Sequence, residues 1–356
     1  MKCATLGLLL AAALHAADAP KIAIVGLLHS HVWGHLEKVV RGEPARLVGV
    51  SETNPELIQE AKKAGVADGL FYRDPSEMLD KTRPDIVWAF LENNRHLEVM
   101  ELCAPRKIHV MFEKPLAATF KEAQAVREVA NRHGVYVLTN YQMAWWPANT
   151  KAKLLADAGE IGKPWRLHGI VGHGGPGSSG PRSKFFFEWL TDPVKNGGGA
   201  IIDFGCYNAL WSLWYLGRPE TVYAQVNHLR PDTYPKVEDN STMILSYKDG
   251  VSILEGSWDL PRSFQDLEVF GSSGSLYMTR DRLELRKGRE QAMAVSLAEA
   301  SPEEAEPIAY LISCIRKGKA PSGLVGLDLN VEVMEILDAA KKSVQTGSAV
   351  RLGKRR

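Results

Sequence analysis

The chain has 356 residues, of which 45% are apolar, and its formal net charge at pH 7 is +1. This length predicts two domains, and the apolar fraction is sufficient for ordinary buried cores. No basic stripe or acidic run stands out in the sequence, which argues against binding to nucleic acid or to a membrane surface.

Residues 1–19 have the layout of a secretory signal peptide. Lys2 precedes an apolar run at 6–14, and small residues follow at Ala16, Ala17 and Ala19, which is the charged, apolar, small order of such peptides. The apolar run is too short to cross a membrane, which takes about 20 residues. We therefore expect a periplasmic or secreted protein with no membrane contact after cleavage. The alternative is a frayed N-terminal helix.

Residues 20–141 alternate short apolar runs with amphipathic segments. The apolar runs predict strands at 22–25, 47–50, 85–90, 108–112 and 135–138. The amphipathic segments 55–64 and 119–133 predict helices between them. Near-continuous apolar strands separated by helices indicate a parallel sheet covered on both faces. We predict the α/β fold class, with a doubly wound Rossmann-type dinucleotide-binding domain over this part of the chain.

Residues 142–356 predict a second, α+β domain. A Gly/Pro/Ser-rich segment at 172–199 predicts a functional or mobile loop, and a helix is expected from Gly197 to about Leu216. Further helices are predicted at 303–317 and 329–346. Short strands are predicted at 221–226, 241–247, 252–258, 266–270, 275–278 and 283–285. Their close spacing indicates a large, mostly antiparallel sheet, which we expect to bind substrate and to form a homo-oligomer interface.

The loop after the first predicted strand bears on cofactor binding. A dinucleotide site normally has the pattern G-x-G-x-x-G here, but only Gly26 remains, with Leu28 and His31 in the other two places. Glu52, at the end of the second predicted strand, can accept from both ribose hydroxyls of NAD and would repel the 2′-phosphate of NADP. We therefore expect NAD rather than NADP. The alternative for Glu52 is a solvated turn carboxylate.

Histidines in the same loop raise the alternative of a metal site. His29, His31 and His35 are close in sequence, and an H-x-H pair after a first strand supplies half of some metal centres. Such a site needs ligands from later strand ends, for which the sequence offers His96 and His173. We expect buried or loop histidines and no metal.

A charged pair ends one of the predicted strands. The apolar run 108–112 stops at Glu113, Lys114 and Pro115, and proline cannot continue a strand ladder. Charges at the carboxyl end of a strand lie at the edge where open α/β sheets bind their ligands. Lys114 is therefore the first candidate for a catalytic residue.

Taken together, these motifs resemble the Gfo/Idh/MocA family of sugar and polyol oxidoreductases, which includes glucose–fructose oxidoreductase and the inositol dehydrogenases. Residues 113–117 match its E-K-P-L/I-A motif, and residues 197–207 match G-G-G-x-x-x-D-x-G-x-H/Y, with tyrosine in the last place as in the members that resemble glucose–fructose oxidoreductase. Asn93-x-x-His96, Asp239 and the closing segment 349–352 agree more weakly.

The resemblance implies NAD(P)-dependent hydride transfer at a CH–OH group of a sugar, glycoside or polyol. It assigns the reacting proton to Lys114 and Tyr207, with Asp203 as substrate binder or acid–base partner. We expect the lysine ammonium to stabilise a Tyr207 phenolate and partial burial to lower the pKa of Lys114. The alternatives are a structural ion pair for Lys114 and a packing role for Tyr207.

The resemblance also implies which residues surround the two ligands. Around the cofactor it places Gly26, His29, Ser30, Glu52, Asn93, His96 and Glu113. Around the substrate it places Trp145, His173, Arg182 and Lys184, whose rings and polar groups suit the apolar face and the hydroxyls of a sugar.

The chain departs from the family pattern in two places. The first loop has lost two glycines, and Leu91-Glu92 stands where the family has Thr-Pro. Our first hypothesis is an exported NAD-dependent oxidoreductase, with a variant in which one tightly held NAD is recycled internally. Our second is a cofactor-free or cofactor-weak carbohydrate-binding or lyase-type protein on the same fold. A small carbohydrate is the expected partner in both.

Overall fold

The structure is a computed structural model that describes residues 19–353. Except for Ala19, the predicted signal peptide lies outside the described residues. Within the described range, no helix combines the length and the apolar composition needed to cross a bilayer.

The N-terminal part contains a six-stranded parallel sheet with the strand order β3-β2-β1-β4-β5-β6. The strands are β1 (Lys21–Val25), β2 (Arg46–Ser51), β3 (Phe71–Tyr72), β4 (Ile86–Ala89), β5 (His109–Glu113) and β6 (Val137–Asn140). Every residue of β4 and β6 is buried, as expected for strands covered on both faces. The order reverses between β1 and β4, and ligands of such sheets bind outside the carboxyl ends at this switch point.

In the part of the chain that the structure describes, five helices connect the strands of this sheet, and local sequence signals mark where several of them begin and end. They are α1 (Val32–Val40), α2 (Pro55–Lys63), α3 (Pro75–Thr82), α4 (His96–Cys103) and α5 (Phe120–His133). Asn54 caps α2, whose first residue is a proline, a residue that fits the first turn. Thr119 and Glu122 form a capping box at α5, which ends at Gly134 with φ of +64°.

The C-terminal part contains a nine-stranded sheet in the order β14-β13-β12-β11-β7-β10-β9-β8-β15. Of its paired strands, β7 and β10 run parallel and the other neighbours run antiparallel. The strands are β7 (Pro164–Gly172), β8 (Thr221–Asn227), β9 (Asn240–Tyr247), β10 (Gly250–Ser257), β11 (Phe264–Gly271), β12 (Gly274–Met278), β13 (Leu283–Lys287), β14 (Met293–Ala294) and β15 (Val350–Arg351).

Seven more α-helices accompany the second sheet in the described residues. They are α6 (Pro147–Asp157), α7 (Pro181–Leu190), α8 (Ala200–Asp203), α9 (Gly205–Leu216), α10 (Pro302–Ala305), α11 (Pro307–Lys317) and α12 (Leu327–Thr346). Short 3₁₀ turns lie at Asp68–Leu70, Asn93–Arg95, Ala104–Arg106, Gln142–Trp145 and Gly323–Val325. The predicted fold class is confirmed.

Three predicted elements differ from the structure, and one of them is the helix predicted at 303–317, which is two helices, α10 and α11, with Glu306 between them in an extended conformation. The Gly/Pro/Ser-rich segment 172–199 contains helix α7, which begins at Pro181 because proline suits a first helical position. The single helix expected from Gly197 is two helices, α8 and α9, with Phe204 between them.

The two parts of the chain share their cores. Helix α11, which we had assigned to the C-terminal domain, buries Ile308 and Leu311 in one cluster with Ile22, Ile24 and Leu36 of the parallel sheet and α1. A second cluster joins residues of β5 to residues of α9 and α12. The carboxyl edge of the parallel sheet is therefore held rigidly against the C-terminal part.

Candidate functional site

Lys114 forms a buried ion pair with Asp203. The lysine follows the end of β5, and the Lys114–Pro115 peptide bond is cis. Lys114 Nζ donates to Asp203 Oδ1 and, at 3.2 Å, to the Asp203 carbonyl oxygen. Trp258 Nε1 donates to the other carboxylate oxygen at 2.9 Å. Each member of the pair is only 5% exposed, so this contact is shielded from solvent.

Tyr207 lies beside this pair. It is the third residue of α9 and is 4% exposed. Lys114 Nζ lies 5.1 Å from the centroid of its ring, and Tyr141 packs edge-on against the same ring at 5.2 Å. Three separate elements, β5, α8 and α9, thus bring together the three residues that the motifs singled out as catalytic.

The protonation states of this group differ from our expectation. Burial alone would lower the pKa of Lys114, but the Asp203 carboxylate outweighs burial and the pKa is raised. Burial alone would raise the pKa of Asp203, but Lys114 and Trp258 hold that pKa below its usual value. Burial raises the pKa of Tyr207 in spite of the nearby ammonium. The prediction of a lysine with a lowered pKa beside a phenolate was therefore wrong, because the ammonium is already paired with a carboxylate.

The ion pair predicts a flat pH dependence of stability around neutrality. The depressed pKa of Asp203 gives stability that is present above the unfolded value of about 3.9 and is lost as pH falls through the folded pKa. The raised pKa of Lys114 gives stability that is present below the unfolded value of about 10.4 and is lost as pH rises through the folded pKa.

We therefore expect the difference in free energy of unfolding between the natural protein and a Lys114→Met/Asp203→Asn variant to be constant from about pH 5 to 9. At more acidic and more alkaline pH, the natural protein should lose stability relative to the variant. Denaturant unfolding followed by circular dichroism measures this difference. A marked slope between pH 5 and 9 would contradict the assigned charge states.

Consecutive glycines set the position of the helix that carries Asp203. Gly197 has φ of +98°, and a Cβ atom there would collide with the Ala118 carbonyl oxygen in the loop after β5. A Cβ atom on Gly199 would collide with the Glu238 carbonyl oxygen. The G-G-G-x-x-x-D spacing thus lets two other backbone segments approach closely enough to place Asp203 within reach of the lysine.

A cavity of about 230 Å³ borders the ion pair. Lys114, Asp203 and Tyr207 line it, together with Ser30, His31, Gln142, His173 and Gln265. It is smaller than the pockets of about 300–1,000 Å³ that hold drug-sized ligands. Its size and its polar groups suit a small polar molecule.

His173 supplies a neutral imidazole to this cavity. Burial lowers its pKa, and its Nδ1 atom accepts from the Gly175 N–H at 3.0 Å. The Nε2 atom therefore carries the ring proton and can donate it to a ligand oxygen. This placement agrees with the predicted substrate role.

The loop after β1 keeps the turn that its first glycine makes. Gly26 has φ of +79°, and a Cβ atom there would lie 3.0 Å from the Phe90 carbonyl oxygen. Its N–H donates to the Ser51 carbonyl oxygen at 2.9 Å. Helix α1 then begins at Val32 without a side-chain cap and without an acidic residue in its first turn.

Glu52 is held against this loop. Its carboxylate accepts from the Leu27 N–H at 2.8 Å, from the Thr53 N–H at 2.7 Å and from the Asn54 N–H at 2.8 Å. The residue is 9% exposed and is not a solvated turn carboxylate. Its charge lies at the carboxyl end of β2, beside the first loop.

Two histidines of the first loop meet Glu113. His31 Nδ1 lies 2.8 Å from Glu113 Oε2, and the rings of His29 and His31 are 4.4 Å apart. Asn140 Nδ2 donates to the other oxygen of Glu113 at 2.8 Å. Glu113, the last residue of β5, and Lys114, the first residue after it, therefore reach different partners.

Burial determines the charge of His29, and neighbouring groups determine that of Glu113. His29 is 1% exposed, and burial lowers its pKa well below the usual value, with His31 and Lys114 adding to the effect. Burial alone would raise the pKa of Glu113, but His31 and Asn140 hold it below the usual value. At neutral pH the cluster therefore presents a neutral imidazole and a carboxylate.

Asn93 and His96 each use only part of the hydrogen-bonding capacity of their side chains. Asn93 Nδ2 donates to Asn196 Oδ1 at 2.8 Å, and His96 Nδ1 lies 3.0 Å from the Leu116 carbonyl oxygen. Among the described residues, Asn93 Oδ1 and His96 Nε2 are buried without a hydrogen-bond partner. Such atoms favour a bound polar molecule at this place.

Helix α7 packs on the first loop. The Phe186 ring lies 4.9 Å from the His29 ring, and Trp189 Nε1 donates to the Leu28 carbonyl oxygen at 3.4 Å. The sequence did not predict this helix, and it therefore did not predict that these rings cover the loop, although Phe186 also lines the cavity.

Three residues predicted to bind substrate lie elsewhere. Arg182 pairs with Glu60 of α2 at 2.8 Å, which directs it away from the cavity. Lys184 Nζ lies 5.0 Å from the ring centroid of its neighbour Phe185. Trp145 Nε1 donates to Asn140 Oδ1 at 2.8 Å. Of the four predicted substrate residues, His173 lines the cavity.

Sequence reasoning missed Trp258, Gln142 and Gln265. Trp258 follows β10 and holds the Asp203 carboxylate, while the two glutamines line the cavity. They come from sequence positions far from the motifs, and no local pattern marks them. Their positions follow from how the second sheet packs on the first.

Two family profiles match most of the described chain. The profile described as "Oxidoreductase family, NAD-binding Rossmann fold" matches residues 20–141. The profile described as "GFO/IDH/MocA C-terminal domain" matches residues 149–277.

The chain is also similar to characterised proteins along most of its length. D-xylose 1-dehydrogenase (NADP(+)) 2 of Haloferax volcanii is 25% identical over 312 residues, which cover 82% of this chain and 89% of the relative. scyllo-Inositol 2-dehydrogenase (NAD(+)) of Bacillus subtilis is 24% identical over 342 residues, which cover 90% and 93%. The crystal structure of an inositol dehydrogenase homolog complexed with NAD+ from Azotobacter vinelandii matches with a TM-score of 0.80 at 19% identity, covering 94% of this chain and 98% of that one. At this low identity, the match to the crystal structure shows similarity of fold alone.

Proposed function

The chain belongs to the Gfo/Idh/MocA family of NAD-binding Rossmann-fold oxidoreductases, and from this premise we propose that it oxidises or reduces a CH–OH group of a sugar, glycoside or polyol with NAD(P). The observation that carries the proposal is the buried Lys114–Asp203 pair with Tyr207, facing a small polar cavity at the ligand-binding edge of the parallel sheet. Relatives named as xylose and inositol dehydrogenases support a polyhydroxylated substrate.

Residues of the chain itself transfer the proton of the reacting hydroxyl. When bound, the nicotinamide supplies the hydride acceptor, so the proton of the reacting hydroxyl remains for the protein to take up. Lys114 donates to Asp203 and can pass a proton to the carboxylate while it takes the hydroxyl proton in exchange. Tyr207, as a neutral phenol, donates to the substrate oxygen, and Trp258 keeps the carboxylate oriented.

The residues of the first loop fit a dinucleotide. Gly26 keeps the required turn, and the uncapped start of α1, which has no acidic residue in its first turn, is suited to an anion. The unpartnered atoms Asn93 Oδ1 and His96 Nε2 can accept from polar groups of the cofactor. The residues that would hold it are Gly26, His29, Ser30, Glu52, Asn93, His96 and Glu113.

We further propose that NAD is preferred over NADP because Glu52 places a carboxylate where a 2′-phosphate would lie. Glu52→Gln is expected to lower the ratio of the Kd for NADP to the Kd for NAD at least about tenfold, which corresponds to about 1.4 kcal/mol. Isothermal titration with both cofactors measures the ratio. Glu56→Gln, on the exposed first turn of α2, is the control. An unchanged ratio in Glu52→Gln would refute this role.

One observation favours the second candidate, a carbohydrate-binding or lyase-type protein without a dinucleotide. Phe186 and Trp189 of α7 pack on the first loop, and His31, in the place of a motif glycine, reaches across to Glu113. The protein's own side chains thus occupy space beside the loop. In this candidate, sugar binding is independent of NAD.

One experiment separates the two candidates. The purified protein is denatured, its supernatant is analysed by mass spectrometry for NAD and NADP, and both are titrated into the cofactor-stripped protein. Bound or titratable dinucleotide, together with NADH formation on a panel of sugars, polyols and glycosides, supports the oxidoreductase. The absence of dinucleotide, of affinity and of turnover would overturn it and leave the second candidate.

Export is part of the proposal. Residues 1–19 carry the order of segments that a signal peptide shows, and a dinucleotide held through purification would support internal recycling outside the cytoplasm. The intact mass of protein recovered from the periplasm or medium tests export. A mass that still includes residues 1–19 would contradict it.

A further inference from the structure

The side chains of His29, His31 and Glu113 form a cluster that takes no part in the proton transfer or the ion pair, although the proposed function also places His29 and Glu113 beside the dinucleotide. One ligand atom from each side chain lies within 4.8 Å of the other two. His29 and His31 belong to the loop between β1 and α1, and Glu113 is the last residue of β5. We propose that this cluster binds a divalent first-row transition metal ion at the edge of the substrate cavity.

The composition of the cluster fits such an ion. Two imidazoles and a carboxylate are a recurrent ligand set for catalytic zinc and for non-haem iron. The ligand atoms of a tetrahedral zinc site lie about 3.3 Å apart, given bonds of about 2.0–2.1 Å. The three ligand atoms lie within 4.8 Å of one another, so binding of an ion would draw them closer together.

The contact between His31 and Glu113 brings two candidate ligand atoms together. The 2.8 Å separation of Nδ1 and Oε2 requires a shared proton when no cation is present. His29 contributes a ring nitrogen that takes only a long hydrogen bond, 3.2 Å from the His31 N–H. An ion can replace both of these contacts with stronger bonds.

Neighbouring groups hold the cluster in position. Asn140 donates to the Glu113 oxygen that faces away from His31, at 2.8 Å, and Trp145 in turn donates to Asn140 at 2.8 Å. Outer partners of this kind orient metal ligands and are a regular part of metal sites. The rings of Phe186 and Trp189 pack on His29, which limits its rotation.

The position of the cluster gives the ion access to a ligand. His31 lines the same cavity as Lys114 and Tyr207, so an ion held by three protein ligands has an open coordination position on that side. An oxygen of the small polar molecule in the cavity can occupy this position. The two histidines favour zinc or cobalt over magnesium, which prefers oxygen ligands.

The sequence suggested other partners for the histidines. His96 and His173 were the candidates, but His96 stacks on Phe112 and bonds to a carbonyl oxygen, while His173 bonds to the Gly175 amide. Glu113 completes the set instead. The sequence analysis assigned it to the cofactor.

The test uses the purified full-length protein after treatment with a chelator. Zn²⁺, Co²⁺ and Mg²⁺ are titrated separately by calorimetry, and stoichiometry is measured by elemental mass spectrometry. We expect one Zn²⁺ or Co²⁺ per chain with a Kd of about 1 μM or tighter, and weak or undetectable Mg²⁺ binding. His31→Asn and Glu113→Gln are each expected to weaken binding at least about 30-fold.

Two further variants keep the test decisive. His173 lines the same cavity but lies outside the cluster, so the His173→Asn variant should bind the ion with unchanged affinity. His31→Cys replaces one ligand with another and should give a thiolate-to-cobalt charge-transfer band in the near ultraviolet. The natural protein, whose cysteines Cys103, Cys206 and Cys314 are buried, should lack the band, and circular dichroism of the variant checks that it is folded.

The inference is overturned if no saturable binding of one ion per chain is found. It is equally overturned if affinity survives His31→Asn combined with Glu113→Gln, or if His173→Asn abolishes binding while the His31 variants do not. NAD titration of the metal-free protein is run separately, so failure of the metal site and failure of the proposed function give different results.

Discussion

Lys114→Met is expected to lower kcat/KM about 10²–10⁴-fold on any substrate found by following NADH formation, the range typical of positioned acid–base groups. The variant removes the only side chain shown to contact Asp203 Oδ1 and leaves that buried carboxylate unpaired. Removing one partner of a buried ion pair costs about 3–5 kcal/mol in free energy of unfolding. Activity and stability should therefore fall together.

The double variant Lys114→Met/Asp203→Asn separates these two effects. It removes both charges, so most of the lost stability should return, while activity should not. Lys121→Met, at an exposed position of α5, controls for the loss of a lysine. Steady-state kinetics and urea unfolding provide the measurements. A folded Lys114→Met protein within about tenfold of natural activity would remove Lys114 from the mechanism.

Much of the fold could be predicted because its signals are local. The buried strands β1, β4 and β5 are short apolar runs, and the helix α5 carries its own capping box and terminal glycine. The position of Lys114 also followed from local sequence, since Pro115 ends the strand at the carboxyl edge. The spacing of apolar residues, together with capping residues, glycine and proline, thus predicted both the architecture and its ligand-binding edge.

The chemistry of the site could not be predicted in the same way. The raised pKa of Lys114 depends on Asp203, which lies 89 residues further along the chain, and the raised pKa of Tyr207 depends on its burial. Arg182 pairs with Glu60, which lies 122 residues away, and is not among the residues that line the cavity. These ion pairs form because of how the two parts of the chain pack together, and no local sequence pattern marks them.

The position of Glu113 shows how one motif serves two sites. Its neighbour Lys114, the first residue after the strand, pairs with Asp203, while Glu113 pairs with His31. The E-K-P motif therefore joins the proton-handling pair to the histidine cluster through a single peptide unit. A substrate bound in the cavity would be within reach of both.

Gly199→Ala is expected to lower the free energy of unfolding by about 3 kcal/mol or more. A Cβ atom at this position would collide with the carbonyl oxygen of Glu238 and lie 3.0 Å from its Oε1 atom. That carbonyl accepts from the Ala200 N–H at 3.0 Å, and the carboxylate accepts from the Gly199 N–H at 2.8 Å. The backbone cannot retreat without breaking these bonds. The start of the helix that carries Asp203 would shift, so activity should fall as well.

Gly34→Ala is the matched control, and it should change stability in the opposite direction. Gly34 lies inside α1, and a Cβ atom there would have no heavy atom within 4 Å. Replacing a helical glycine with alanine stabilises by about 0.5–1 kcal/mol. Urea unfolding of both variants measures the difference. If Gly199→Ala cost no more than about 1 kcal/mol and kept full activity, the glycine run would not be what positions Asp203. Lys114 and Trp258, which donate to its two oxygens, would then be what holds the carboxylate in place.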